Sequence, residues 1–223
     1  MHVAEVLVAG ERFLLHPFRA LFWPRERWLV VSDLHLGKAA HFRKSGAPLP
    51  EGQDAATLHR LDVVIETFQP ERLVILGDLF HSSHNKQWDL FHRWAQAQTT
   101  ALHLVTGNHD ILALEHYEAA GLQVSTDPLV IGPFAWAHEP MDMPDLYSIA
   151  GHIHPGIILK GPARQRLKLP CFFFGETKAI LPAFGMSTGL YMVKPGSTDR
   201  VFSCTERAVL DVSRSFARTS ERG

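Results

Sequence analysis

The sequence predicts an α/β fold in which a parallel sheet wound with helices packs against a second sheet of short strands. Three observations predict it. Up to about residue 120, short apolar runs alternate with stretches of helical periodicity, in the order strand, helix, strand, helix, strand, helix. From Leu122 onward, short apolar runs are broken by Gly and Pro turns, with few helical stretches. Hydrophobic residues make up 46% of the chain and charged residues 20%, enough for a sizeable core and incompatible with disorder throughout. At 223 residues one domain is favoured over two. Residues 1–206 are assigned to that domain, and 207–223, rich in Arg, Ser and Thr, to a flexible tail.

Residues 1–23 alternate apolar and polar stretches (VAEVLV, RFLLHPF, ALFW), which predicts two or three short strands. Trp28–Val31 reads as a buried strand running into Ser32-Asp33-Leu34-His35. A loop of small and basic residues follows, GKAAHFRKSGAPLP. Asp54 then serves as the expected cap of a helix that carries Leu58, Leu61, Val64, Ile65 and Phe68 and ends at Pro70. Leu73–Leu76 is the next strand, meeting Gly77-Asp78. Residues 86–98 form a helix with Trp88, Phe91 and Trp94 as core positions. Leu102–Val105 is a third strand, meeting Gly107-Asn108-His109-Asp110, and a helix is expected from about Ile111 to Ala120. In the second half, Ala135-Trp136-Ala137 is a short strand ending in His138, and Gly151-His152-Ile153-His154 supplies two more imidazoles.

Charge narrows the possible partners. Lys plus Arg is 22 against Asp plus Glu 23, a formal net charge of -1. A chain that held nucleic acid mainly by long-range attraction would carry a basic excess, so any such contact must be local. Two cysteines are too few for a disulfide framework and read as small apolar residues in a reducing compartment. No apolar run is long enough to span a membrane, and Glu5 and Glu11 stand where a secretory signal would need a basic stretch and an apolar block. A cytoplasmic protein without membrane contact is expected; its oligomeric state stays open.

The chemistry concentrates at strand ends. In a parallel sheet the carboxyl ends of neighbouring strands share one edge, where ligands bind. Asp33 and His35, two apart on an extended segment, would point the same way. Asn108 and His109, being adjacent, would diverge, one towards an ion and the other towards a substrate. Taken singly, each cluster has a plainer reading: Gly77-Asp78 as a turn, Asn108 or Asp110 as a helix cap, the imidazoles as surface groups. Taken together, Asp33, His35, Asp78, Asn108, His138, His152 and His154 offer seven N and O donors, too many for one tetrahedral zinc. They suit two divalent ions roughly 3.5–4 Å apart, sharing a carboxylate and a water. Imidazole and carboxylate without cysteine point to manganese first, with iron or zinc as alternatives. Two carboxylates and a hydroxide would leave such a centre with a net charge of about +1, suited to a phosphate ester that gains charge in its transition state.

The series DLH, GD, GNHD, a lone His before Glu-Pro, and GHIH resembles the calcineurin-like metallophosphoesterase superfamily. The flanking text SDLHLGKAAHFRKSGAPLP, LGDLFHS, HEP, GHIHPG and LPCFFFGETKAILPAFGMSTG is similar to the bacterial ligase-associated DNA-damage-response metallophosphoesterases, also described as endonucleases. The resemblance implies a four-layer αββα sandwich of two mixed sheets flanked by helices. It implies Asp33, His35 and His154 on one ion, Asn108, His138 and His152 on the other, and Asp78 bridging. His109 would contact the phosphate or protonate the leaving oxygen, with Asp110 orienting its ring. A metal-bridging hydroxide would attack phosphorus, the substrate being DNA in a repair context with DNA ligase and helicase as associated partners. Two other readings stand beside it: hydrolysis of a small nucleotide or phosphate monoester, and a metal-binding scaffold without turnover. Lys38, Arg43 and Lys44, in the loop after the first ligand pair, are candidate phosphate contacts; His41 and His81 are candidates for the surround of the site. Lys160, Arg164, Arg166 and Lys168 form a second basic stretch that could steer a polynucleotide backbone.

Overall fold

The computed structural model describes residues 1–38, 52–81, 86–162 and 165–217. Seven strands form the first sheet in chain order: β1 (Ala4–Val8), β2 (Glu11–His16), β3 (Ala20–Trp23), β4 (Trp28–Ser32), β5 (Arg72–Leu76), β6 (Ala101–Val105) and β7 (Leu122–Ser125). β1 to β4 meander antiparallel. β4 to β7 are parallel, and the crossovers between them carry α1 (Gln53–Phe68), α2 (Lys86–Gln96) and α3 (Leu114–Ala119). β4 and β5 are buried on both faces, the reason they read as unbroken apolar runs. The helices cover one face, where Leu58, Leu61, Val64 and Phe91 pack on Leu29, Val31, Leu73, Ile75 and Leu104, with Trp88 buried and Trp94 packed beside them.

Three boundaries differ from expectation. Gly52, left-handed at φ 77, precedes α1, and Asp54 lies in the first turn, where its Oδ1 accepts the Gly37 N–H at 2.9 Å. Asp54 therefore ties the helix to the loop that leaves the first ligand pair rather than capping it. α3 starts at Leu114 instead of Ile111, because the backbone from Gly107 is bent around the Asp110 carboxylate. β7, expected in the second sheet, closes the first one, paired with β6.

The second sheet contains β8 (Leu129–Ile131), β9 (Phe134–Ala137), β10 (Tyr147–Ala150), β11 (Pro155–Lys160), β12 (Arg166–Phe174), β13 (Lys178–Ile180) and β14 (Tyr191–Met192), in the order β14-β11-β12-β13-β10-β9-β8. β15 (Arg200–Cys204) branches from β12, and β16 (Val209–Asp211) pairs with β15. An apolar layer joins the sheets: Phe13, Trp23, Phe134 and Trp136 meet with ring centroids 5.2–6.2 Å apart, beside Phe172 and Phe174. The opposite face of the second sheet is covered through Phe216 of α4 (Arg214–Ala217), which packs near Ile157, Cys171, Val201 and Val212. The fold is thus the expected sandwich of two mixed sheets flanked by helices, its fourth layer reduced among the described residues to this single turn. The chain from 207 to 217 is built into the fold, not frayed. His2 donates to Arg207 O at 2.8 Å, Val209 donates to His2 O at 3.1 Å, and Val209 and Val212 are buried.

His16, at the end of β2, is 1% exposed, and its Nδ1 accepts the Phe18 N–H at 3.1 Å. Burial, with the N-terminal amine and Arg60 adding to it, pulls its pKa down to about 4. The unfolded chain binds this proton below about 6.5 while the folded chain does not. Stability should therefore fall as pH drops from 6.5 towards 4, at up to about 1.4 kcal/mol per pH unit from this group. Melting temperatures of the wild type and His16→Asn across that window check it: the variant should show the shallower pH slope.

Candidate metal centre

Five strands of both sheets end at one edge. β4 runs into Asp33-Leu34-His35, β5 into Gly77-Asp78, β6 into the turn of residues 107–110, β9 into His138, and β10 into residues 151–154. Backbone bonds lock these ends together: Asp33 donates to Gly77 O at 3.1 Å, His35 to Asp78 O at 2.9 Å, and Gly151 to His138 O at 2.9 Å. A later segment straps the first of them. Phe184 donates to Ser32 O at 2.8 Å and Gly185 to Asp33 O at 3.1 Å, while half-buried Arg19 donates to Ala183 O and Gly185 O. Sequence reasoning missed Arg19 and this strap, since a bond to a backbone carbonyl leaves no mark on residue type at the acceptor.

The side chains gather into two groups. In one, Asp33 Oδ1 lies 3.2 Å from His154 Nε2, which lies 3.3 Å from His35 Nε2. In the other, His138 Nε2 lies 3.0 Å from His152 Nδ1, 2.9 Å from Asn108 Oδ1 and 3.4 Å from Asp78 Oδ1. The second oxygen of Asp78 faces the first group, 3.6 Å from His35 Nε2. The far nitrogen of His138, Nδ1, is 3.0 Å from Leu76 O, a contact that fixes the ring and leaves Nε2 turned inward.

The convergence of Asp33 and His35 does not come from an extended strand. β4 has ended, and both residues are left-handed, with φ 53 and 47. Asp78 (φ 53), His152 (φ 66) and His154 (φ 53) share that conformation. Each non-glycine residue there costs about 1–2 kcal/mol, and such clusters mark sites where the surrounding structure overrides local preference. The bends turn each side chain back over the strand ends.

Gly107 keeps the two groups close. A Cβ on it would sit 2.5 Å from Asp78 Oδ1 and 2.6 Å from Asp78 N. Gly107→Ala should therefore displace Asp78 and lower bound metal per chain, measured by elemental analysis, while the circular dichroism of the sheets persists.

His109 and Asn108 diverge as expected. The Asn108 oxygen meets His138, while the His109 ring lies 5.6 Å from that of His35 and 5.4 Å from that of His81. His81 is thereby part of the imidazole cluster, 5.7 Å from His35. Asp110 is placed differently. Its carboxylate accepts the backbone N–H groups of Gly107 and Asp78 at 2.8 Å and of Leu79 at 3.0 Å. It staples the β5 and β6 loops together, the work of a positioning residue rather than a partner for the His109 ring. Burial raises its pKa to about 6, against the lowering by these same N–H groups. Lys38 is half-buried; desolvation lowers its pKa, and the nearby Asp78 and Asp33 carboxylates oppose that shift. His41, Arg43, Lys44 and Arg164 lie outside the described residues.

The donor set fits divalent cations. Asp33 and Asp78 are 0% and 2% exposed, and Asp33 Oδ1 has no hydrogen-bond partner among the described residues. Buried, uncompensated carboxylates cost several kcal/mol each unless a cation meets them. Burial, reinforced by Lys38 and neighbouring imidazoles, holds His35 far below the usual imidazole range, so its lone pair is available to a metal.

Comparison with known proteins agrees with this chemistry. The family model for calcineurin-like phosphoesterases matches residues 27–172. Among solved structures, the chain is similar to nuclease MPE of Pseudomonas putida at 32% identity and a TM-score of 0.82, over 95% of this chain and 100% of that one. It also matches Yfce, a phosphoesterase from E. coli, at 12% identity and a TM-score of 0.46, over 83% and 98% of the two chains. That likeness is too weak to carry an argument. No curated protein matches the sequence.

Proposed function

The chain belongs to the calcineurin-like phosphoesterase family and is a metal-dependent hydrolase, and from that premise we propose that it cleaves phosphodiester bonds of DNA at a two-metal centre. The observation that carries the two-metal reading is Asp78, whose two carboxylate oxygens face the two donor groups. In this reading Asp33, His35 and His154 hold one ion, Asn108, His138 and His152 the other, and Asp78 both. The N and O donors favour manganese over a thiophilic metal. Ions held by these residues would supply Lewis-acid polarisation of the phosphoryl oxygens and would acidify a water for attack.

The protein's own groups do the rest. The left-handed turns and the Asp110 staple fix the ligands before substrate arrives, so little reorganisation is left for the reaction itself. His109, its ring 5.6 Å from that of His35, protonates the leaving oxygen. Lys38 offsets charge on the non-bridging oxygens. No covalent enzyme intermediate is required. The nucleic-acid substrate is supported by the likeness to a nuclease over nearly the whole chain. A setting in DNA repair beside a DNA ligase or helicase, in a reducing cytoplasm where Cys171 and Cys204 stay free thiols, completes the reading. The net charge of -1 favours a second reading, hydrolysis of a small nucleotide or monoester.

Product analysis tests the proposal. Manganese-loaded protein is incubated with plasmid, single-stranded DNA, cyclic nucleotides and a chromogenic diester. Cleavage of the DNA substrates is expected. Cleavage of small esters alone would transfer the assignment to the second reading.

A further inference from the structure

The β11–β12 hairpin starts on the residue after His154 and projects beyond the metal edge. Phe173 of β12 is level with Ile180 of β13, and Ile180 with Ala150, the last residue of β10 before the ligands. β12 runs opposite to β10, so its residues before Phe173 extend past that edge, Lys168 and Arg166 by about 17 and 23 Å at the rise of a strand. Lys160 pairs directly across from Arg166, and Ile158 from Lys168. Lys160, Arg166 and Lys168 therefore share one face of the hairpin. It is the face that, further along β12, carries Phe172 and Phe174 into the layer between the sheets. The other face carries Leu159 and, further in, Ile157 and Cys171 of the opposite cluster.

All three cations are exposed, and among the described residues none has an acidic partner within ion-pair distance. Like charges directly opposite on paired strands destabilise a sheet. In a chain of net charge -1 this local excess is not balanced by any ion pair among the described residues. A row of exposed cations leading away from a phosphoesterase centre matches the spacing and charge of a sugar-phosphate backbone, which such cations contact without reading bases.

We propose that the β11–β12 hairpin is a backbone track: Lys160, Arg166 and Lys168 hold the phosphates of a nucleic-acid strand several nucleotides away from the scissile bond, roughly 17–23 Å beyond the metal edge. The inference rests on the phosphodiesterase reading for its substrate and adds the surface that would select a polymer over a small ester.

The test uses the full chain and the triple variant K160A/R166A/K168A, with K160R/K168R as the charge-preserving control. Binding of a fluorescein-labelled 30-nucleotide strand is followed by anisotropy in chelator at several salt concentrations, so that cleavage plays no part. The triple variant should bind about tenfold more weakly, and its salt slope should fall by about 2, the loss of three phosphate contacts on a single strand. The control should match the wild type. Turnover of a chromogenic diester by the metal-loaded triple variant should stay within about twofold, while KM for the long strand rises. Identical affinity and slope in wild type and triple variant, or no binding by the wild type, would overturn the track. Displacement of the strand by polyglutamate as readily as by unlabelled DNA would overturn its assignment to phosphates. Strand binding that is lost in the triple variant, with no DNA cleaved by the wild type, would uphold the track and remove the nuclease reading.

Discussion

Asp78→Asn should reduce kcat by about a thousandfold or more, with bound metal falling below the wild-type content. The substitution keeps the size of the side chain and leaves an oxygen to accept the His109 N–H, which Asp78 Oδ1 does at 2.9 Å. What it removes is the one negative charge set between the two donor groups. In chelator the variant should melt no lower than the wild type, because a buried carboxylate without a cation is a liability to the fold. Stopped-flow turnover, elemental analysis and calorimetry in chelator separate these effects. Near wild-type turnover would remove Asp78, and the two-metal centre with it, from the chemistry.

His109→Ala should lower kcat by about 10²–10⁴ on substrates whose leaving group is an alkoxide, the range for loss of a general acid. On a nitrophenyl diester, whose leaving group departs without a proton, the loss should be far smaller. Metal content should stay unchanged, since the His109 ring lies beside those of His35 and His81 and outside both donor groups. Equal losses on both substrates, or loss of metal, would assign His109 to holding the site together instead.

The candidate donors could be singled out in the sequence because each stands where a strand ends. Strand ends in this chain are marked plainly, by apolar runs such as Leu73–Leu76 that stop at Gly-Asp. Their geometry was not legible. Alternation along a strand gave a reason for Asp33 and His35 to meet, but their turns are left-handed, held by bonds to Gly77 O and Asp78 O from another strand. No local propensity reports such a conformation, since tertiary bonds impose it. The same holds for Asp110, which its position suggested as a helix cap and the family resemblance as a partner for His109, and whose three bonds run to backbone N–H groups of two loops. The shortened α3 is the visible cost of that staple. β7 escaped assignment to the first sheet because a short strand carries no signal for which of two edges it will join. Among the candidate phosphate contacts, Lys38 is half-buried beside the Asp78 and Asp33 carboxylates, while Arg43 and Lys44 lie outside the described residues.

The bonds of His2 to Arg207 and Val209 make the two ends of the described chain neighbours, with Val6, Val8 and Val209 in one apolar cluster. Drawing those ends together closes a loop of roughly 200 residues, among the most entropically demanding contacts in the molecule. During synthesis the β1–β3 meander can form early from local pairings, but its outer flank stays uncovered until β16 leaves the ribosome. A nascent chain halted before Val209 would display that flank to chaperones and to other nascent chains, so losing β16 would tell first on yield and aggregation and only afterwards on catalysis.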